Sequence, residues 1–527
     1  HGNYTYNSAP VYFNAYAPAT IAITTSGLTA GESVAIASSF NIVANLTGGY
    51  NIANQTIALQ NLSPSDAGID VSGTCTVNSS QPTCTIPVDI GVSTAIQNYT
   101  VEAVNQTAGV SISSGTPVAF NVYDPTPVGS ETILGAAAEV GCLILKSNHQ
   151  PYCWGNNHQG ELGIGSFTSQ NTPTAVLMGG SSAIPVGTLF SQISVAVAGD
   201  YYGDSSVCAI SSSNQVYCWG YNGYGELGNG TTTTSNVAVA VIAGQIPTGV
   251  KLTKVSNAGD HVCGVGTDGK AYCWGRNTSG QLGNGSTTSS SSPVLVLQGQ
   301  IPSGITIRDI GAGVRGTCAI ASNGKAYCWG NYYSSSSSNT PVLLNGGALP
   351  SNYQTIAISL AHDDVGQAAC LIADTGSMYC WGSNGSGQLG NGSTTSSSSP
   401  VLVSQGQVTL GAKWLSVSQG GNSTCGMTDQ GLVYCWGNNY YGQLGLGNTT
   451  TVNTPQAIAV GGSSQIPSGT KLIAISGGYD DDGGANAMFC GMSDLGNVYC
   501  WGSNTYGQLG YGVTGGTSSY AKAVAMP

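Results

Sequence analysis

Sixteen cysteines are the residues in this chain best placed to do chemistry. Fourteen fall into seven pairs ten or eleven residues apart: Cys142/Cys153, Cys208/Cys218, Cys263/Cys273, Cys318/Cys328, Cys370/Cys380, Cys425/Cys435 and Cys490/Cys500. Cys75/Cys84 makes the eighth pair. An even count at regular spacing predicts disulfides formed in an oxidising compartment. Zinc fits less well, because no pair has C-x2-C spacing and the five histidines do not follow the cysteines. With every thiol paired, cysteine catalysis is excluded.

Carboxylates recur just before the first cysteine of a pair: Asp200, Asp204, Asp260, Asp363, Asp364, Asp480, Asp481 and Asp482. Their equivalent placement predicts one acidic face, which either meets solvent or a partner, or holds a hard cation such as Ca²⁺. The stretch 479–484 has the composition of a calcium loop without EF-hand spacing. His261 follows Asp260 and His362 precedes Asp363, a pairing that could serve a general base. No Gly-x-Ser-x-Gly nucleophile motif accompanies them, so both are read as loop residues of the acidic face. No Gly-Lys-Ser/Thr phosphate loop occurs. A polysaccharide lyase has no supporting constellation, and the chain reads as a non-enzyme.

Fourteen Asn-x-Ser/Thr sequons are candidate glycan acceptors: Asn3, Asn45, Asn54, Asn61, Asn78, Asn98, Asn105, Asn229, Asn277, Asn284, Asn384, Asn391, Asn422 and Asn448. Half lie in the first 105 residues. Charged residues make up 6% of the chain, against roughly 25% in ordinary soluble domains. A formal charge of −12 excludes a nucleic-acid surface, which must be basic. No apolar run is long enough to span a bilayer. The chain begins at His1, as a chain does once a leader has been removed; the expected location is extracellular or at the cell surface.

The elements that position these residues come from a repeat, Y-C-W-G-x-N-x-x-G-Q/E-L-G-x-G, seen at Tyr272-Cys273-Trp274-Gly275 through Gly285. Its tryptophans stand at 154, 219, 274, 329, 381, 436 and 501. Seven Gly-rich units of about 55 residues with one Trp each predict a seven-bladed β-propeller over 126–527, four strands per blade. Within a unit, Val262–Val265 and Ala271–Trp274 flank Thr-Asp-Gly-Lys and predict a hairpin that sets two cysteines side by side. The elbow leucines (Leu162, Leu227, Leu282, Leu389, Leu444, Leu509) are expected between blades, and the tryptophans are expected to pack there rather than bind sugar. Tyr224, Tyr440, Tyr441 and Tyr506 are expected in exposed turns. The fourth unit lacks Gly-Gln-Leu-Gly after Trp329. Ring closure predicts that the last strand, Ala521–Ala525, pairs into the first blade.

The unit resembles the repeat of the regulator of chromosome condensation family, from about 130 to 527. That resemblance implies a rigid disc whose loops bind another protein. Members of the family include a nuclear exchange factor, ubiquitin-ligase subunits and secreted β-lactamase inhibitors. The cysteine pairs, acidity and missing basic tail separate this chain from the nuclear member.

Residues 1–125 hold no repeat. Period-two patches between Gly, Pro, Ser and Asn turns predict an all-β, immunoglobulin-like sandwich. Cys75 and Cys84 are expected to staple a hairpin there. The Tyr- and Asn-rich first eighteen residues form either a strand of this sandwich or an arm exchanged with a neighbour. The whole chain then reads as an extracellular structural or adhesive protein, with self-assembly into a filament as one form. Its alternative is a secreted protein-binding module or enzyme inhibitor acting through propeller loops.

Overall fold

The computed structural model describes residues 134–197, 205–331, 337–361, 368–478 and 487–527, together with strand backbones in the segment before them. Contacts divide the chain into His1–Thr126 and Pro127–Pro527. The sandwich arrangement, the Cys75/Cys84 bridge and the seven N-terminal sequons lie outside the described residues. Two backbone observations bear on that region. The strand of Cys75 (Thr74–Val77) pairs with Gln55–Ser63, and that of Cys84 (Thr83–Ile90) with Ser39–Thr47, so the two do not form the expected hairpin. Val11–Asn14 pairs antiparallel with Thr20–Ser26 of its own chain.

From Leu134 onward the chain is a seven-bladed propeller, each blade a four-stranded antiparallel sheet whose strands are consecutive in sequence. The third blade is typical: Leu252–Asn257, His261–Gly266, Ala271–Gly275 and Ser290–Leu295. Packing on two sides explains why the middle strands form. In His261–Gly266 and Ala271–Gly275 every residue is buried, because both faces of a blade pack on neighbouring blades. The tight turn between them closes with Gly266 N–H on the carbonyl of Lys270 at 2.8 Å.

First strands contact one another from blade to blade and line the centre of the ring. Fourth strands form the circumference; in Ser290–Leu295 all residues but Pro293 are half-buried, and a bulge between Cys273 and Gly275 interrupts the pairing with the third strand.

Ring closure takes a different route from the expected one. The last strand, Thr517–Ala523, pairs with Val498–Ser503 inside its own blade. Blades 7 and 1 are joined instead by side chains and loops. Gly512 N–H donates to Asn171 O at 2.9 Å. Gln508 Nε2 donates to Ala138 O at 3.1 Å and Ala136 N–H to Ser476 Oγ at 2.9 Å. Leu134, Trp154, Met488, Leu509 and Val524 share one buried apolar cluster there. A complete blade at each end satisfies its own strand ladder, so no strand needs to be exchanged across the seam.

Candidate functional site

The connections between first and second strands, and between third and fourth, emerge at the same end of an antiparallel blade. That geometry gathers the loops before each first cysteine and all the elbows on one face. Of the acidic residues expected there, Asp200, Asp204, Asp363, Asp364, Asp480, Asp481 and Asp482 lie outside the described residues, as does His362. Asp260 is described, and it is not a solvated rim residue.

Asp260 is fully buried. Its Oδ2 takes Arg276 Nη1 at 2.7 Å, and the guanidinium lies 4.9 Å from the ring centre of Tyr224 in the preceding blade. A planar cation on an aromatic face beside a carboxylate is a joint between blades 2 and 3, with little left for an external ion. His261 is likewise buried, inside a strand rather than a loop. Its Nε2 pairs with Thr317 Oγ1 of blade 4 at 2.8 Å, and that hydroxyl also donates to Gln281 O at 2.9 Å. The pair expected to face solvent therefore bridges blades. No group of three or more metal-ligating side chains occurs among the described residues.

The cysteines sit where the hairpin register places them. Cys142–Cys153, Cys208–Cys218, Cys263–Cys273, Cys318–Cys328, Cys370–Cys380, Cys425–Cys435 and Cys490–Cys500 are each directly opposed on second and third strands, with Cα atoms 4.0 to 4.1 Å apart. These seven disulfides are buried, one per blade. The third-strand partners Cys153, Cys218, Cys273, Cys328, Cys380, Cys435 and Cys500 each stand just before a bulge against the fourth strand, a detail the spacing did not disclose. None of the seven is an accessible thiol or a metal ligand: each sulfur is bonded inside its own blade.

The tryptophans pack between blades. All seven are at most 1% exposed. Six donate their indole N–H to the backbone carbonyl of the elbow Gln or Glu in the preceding blade, at 2.7 to 2.9 Å: Trp154 to Gln508, Trp219 to Glu161, Trp274 to Glu226, Trp329 to Gln281, Trp436 to Gln388 and Trp501 to Gln443. Trp381, which follows the unit lacking Gly-Gln-Leu-Gly, has no acceptor among the described residues. The degenerate fourth unit thus leaves a specific mark, one orphaned buried donor.

The elbow itself is built by a residue whose role the repeat did not disclose. Asn277 is buried, takes Leu282 N–H on Oδ1 at 2.9 Å and donates from Nδ2 to Ser286 O and Thr288 O. Asn384 makes the same set with Leu389, Ser393 and Thr395. Both were candidate glycan acceptors, yet their amide nitrogens are committed to backbone carbonyls inside the protein. Gly283, at φ 65°, tucks against Trp329; a Cβ there would meet the indole Nε1 at 2.7 Å. All six elbow leucines are fully buried.

One elbow carries an unusual group. Glu161 Oε2 accepts Gln159 N–H at 2.9 Å, as Gln281 Oε1 accepts Ser279 N–H, but its Oε1 has no hydrogen-bond partner among the described residues. Burial raises its carboxyl to about 8, with Glu139 adding repulsion. A protonated Glu161 is a near-isostere of the Gln found in four other elbows.

The opposite face holds two clefts that sequence reasoning missed. One, about 460 Å³, is lined by Asp268, Lys270, Leu297, Ile301, Ile305 and Ile307; its counterpart one blade earlier, about 320 Å³, is lined by Ile242, Ile246 and Val250 among others. Both lie between a hairpin turn and the strand connector, a pairing visible only once the blades are assembled. Of the turn tyrosines, Tyr440 is exposed while Tyr224, Tyr441 and Tyr506 are half-buried.

Comparison with known proteins agrees with this geometry. The model of the regulator of chromosome condensation repeat matches residues 213–265, 268–320, 375–427 and 430–480. A second model of that repeat matches 194–226 and 414–443. The chain is 27% identical over 370 residues to the mouse E3 ubiquitin-protein ligase HERC2, spanning 69% of this chain and 7% of the ligase. It is 27% identical to the ultraviolet-B receptor UVR8 of Arabidopsis thaliana, over 72% of this chain and 78% of the receptor. Yeast RCC1 (Prp20), solved bound to Kap60, superposes with a TM-score of 0.56 at 14% identity, covering 75% of this chain and 85% of that one. Human WBSCR16 superposes at 0.54 and 17% identity, covering 71% and 90%. The chain is therefore a seven-bladed propeller, several of whose units are matched by the regulator of chromosome condensation repeat.

Proposed function

We propose that this protein is a non-enzymatic, extracellular binding module: a disulfide-stapled disc that presents its loops to a protein partner at the cell surface. The observation that carries the reading is the repetition of one buried disulfide in every blade. Such bridges persist in oxidising compartments and are reduced in cytosol. Support for a protein partner comes from relatives of the same repeat. Among them, yeast Prp20 is described as binding Gsp1p and histones. A net charge of −12 speaks against nucleic acid as the partner here.

The adhesive or inhibitory form of this role needs only exposed loops and a rigid frame, and the ring supplies both. The filament form loses ground, because Val11–Asn14 is already paired with Thr20–Ser26 of its own chain. The test is to label intact source cells with a membrane-impermeant amine reagent. Labelled Lys146 or Lys413 in intact cells supports the reading. Labelling that appears only after lysis refutes the surface location.

A further inference from the structure

Three blades repeat the sequence Leu-Gly-Asn-Gly-Ser/Thr after the elbow, placing Asn229, Asn284 and Asn391 at one equivalent turn. Blade 6 carries Asn448 two residues further along the same loop. We propose that these four asparagines carry N-linked oligosaccharides, an arc of glycans on the elbow face over blades 2, 3, 5 and 6, while Asn277 and Asn384 stay bare. This rests on the exported reading given above.

The geometry separates the two sets. Asn448 is exposed and the other three are half-buried beside exposed neighbours. In each, the amide oxygen is engaged locally. Thr231 Oγ1 donates to Asn229 Oδ1 at 2.8 Å, Ser286 Oγ to Asn284 Oδ1 at 3.0 Å, and Ser393 Oγ to Asn391 Oδ1 at 3.0 Å. Thr450 N–H donates to Asn448 Oδ1 at 2.9 Å. The turn therefore occupies the oxygen and leaves Nδ2 for chemistry. Asn277 and Asn384 are the reverse, since their nitrogens tie the elbow together within the buried interior. Asn422 belongs to neither set: its Oδ1 takes Gln388 Nε2 of the preceding blade at 3.0 Å.

The reaction requires a sugar donor activated as an anomeric diphosphate. Asn Nδ2 forms a bond to the anomeric carbon, the carbon–oxygen bond to diphosphate breaks with its electron pair leaving on the diphosphate, and one amide proton passes to solvent. No redox partner is involved. Blades 1 and 7 carry Ile164 and Tyr511 at the equivalent turn and hold no sequon there, so the arc leaves their sector uncovered.

Chymotryptic glycopeptide mass spectrometry on native protein, digested without reduction, tests this. The expected result is a hexose-containing mass addition on peptides carrying Asn229, Asn284, Asn391 and Asn448, with Asn277 and Asn384 unmodified. Sugar on Asn277 or Asn384 overturns the assignment. All four bare with disulfides intact overturns the arc and leaves the export reading standing; all four bare with free thiols overturns both. The variant Asn284→Gln is expected to lose one glycan mass with the same melting temperature, whereas a bare Asn284 in the parent chain contradicts the proposal.

Discussion

Glu161 shows how one side chain makes the ring sensitive to pH. Its carboxyl lies near 8 when folded and near 4.5 when exposed. A folded value above the unfolded one means that its stabilising contribution is complete below pH 4.5 and is lost as pH rises through about 8. A shift of this size corresponds to roughly 5 kcal/mol between the two limits. Melting temperature should fall between these pH values in the parent chain, and Glu161→Gln should flatten that slope and raise stability above pH 8; an unchanged slope contradicts the assignment. Asp260 argues the same point with a fixed cation. Arg276→Met leaves that carboxylate buried opposite no guanidinium and should cost about 3–5 kcal/mol, with most of it recovered in the double variant Asp260→Asn/Arg276→Met; denaturant titration reads the difference. At this scale the sequence was least legible. Asp260, His261, Asn277 and Asn384 have the residue types of exposed sites; the first two meet neighbouring blades, remote in sequence, and the asparagines are buried inside their own elbows.

The hairpins and elbows are the elements that each repeat supplies. Hairpin cysteines were readable because ten or eleven residues, a tight turn and the period of a strand leave only one way to oppose two sulfurs. The bulge that follows Cys218, Cys328, Cys380, Cys435 and their equivalents was not, because it depends on the fourth strand. Each bridge closes a short loop and should stabilise its blade by roughly 2–3 kcal/mol through the unfolded state. Replacing both Cys263 and Cys273 with alanine should lower unfolding free energy by about that amount with the propeller still formed; unchanged chemical stability would sink the claim. The elbow makes a sharper comparison. Trp329→Phe removes a 2.9 Å hydrogen bond to Gln281 O, whereas Trp381→Phe removes a donor that has no acceptor among the described residues. Trp381→Phe should therefore be less destabilising by about 1–3 kcal/mol, the value of a buried unsatisfied group. Equal losses in the two variants, measured by thermal melts, contradict the packing account. The missing fourth elbow was plain in the sequence; its consequence at Trp381 was not, because the partner belongs to the next blade.

For the whole molecule, seven copies at constant spacing made the propeller legible, since only stacking buries both faces of each blade. Closure was less so. The expected strand exchange across the seam is replaced by Gln508, Gly512 and Trp154 contacts that repeat those of other junctions. A ring joined by side chains and loop bonds, stapled inside each blade, suits the extracellular disc proposed above. The most direct test of that claim is thiol counting on native protein, alkylated before and after reduction. The account predicts no propeller cysteine alkylated before reduction, and all fourteen alkylated afterwards. Free, alkylated Cys263 and Cys273 in the unreduced native protein would contradict it.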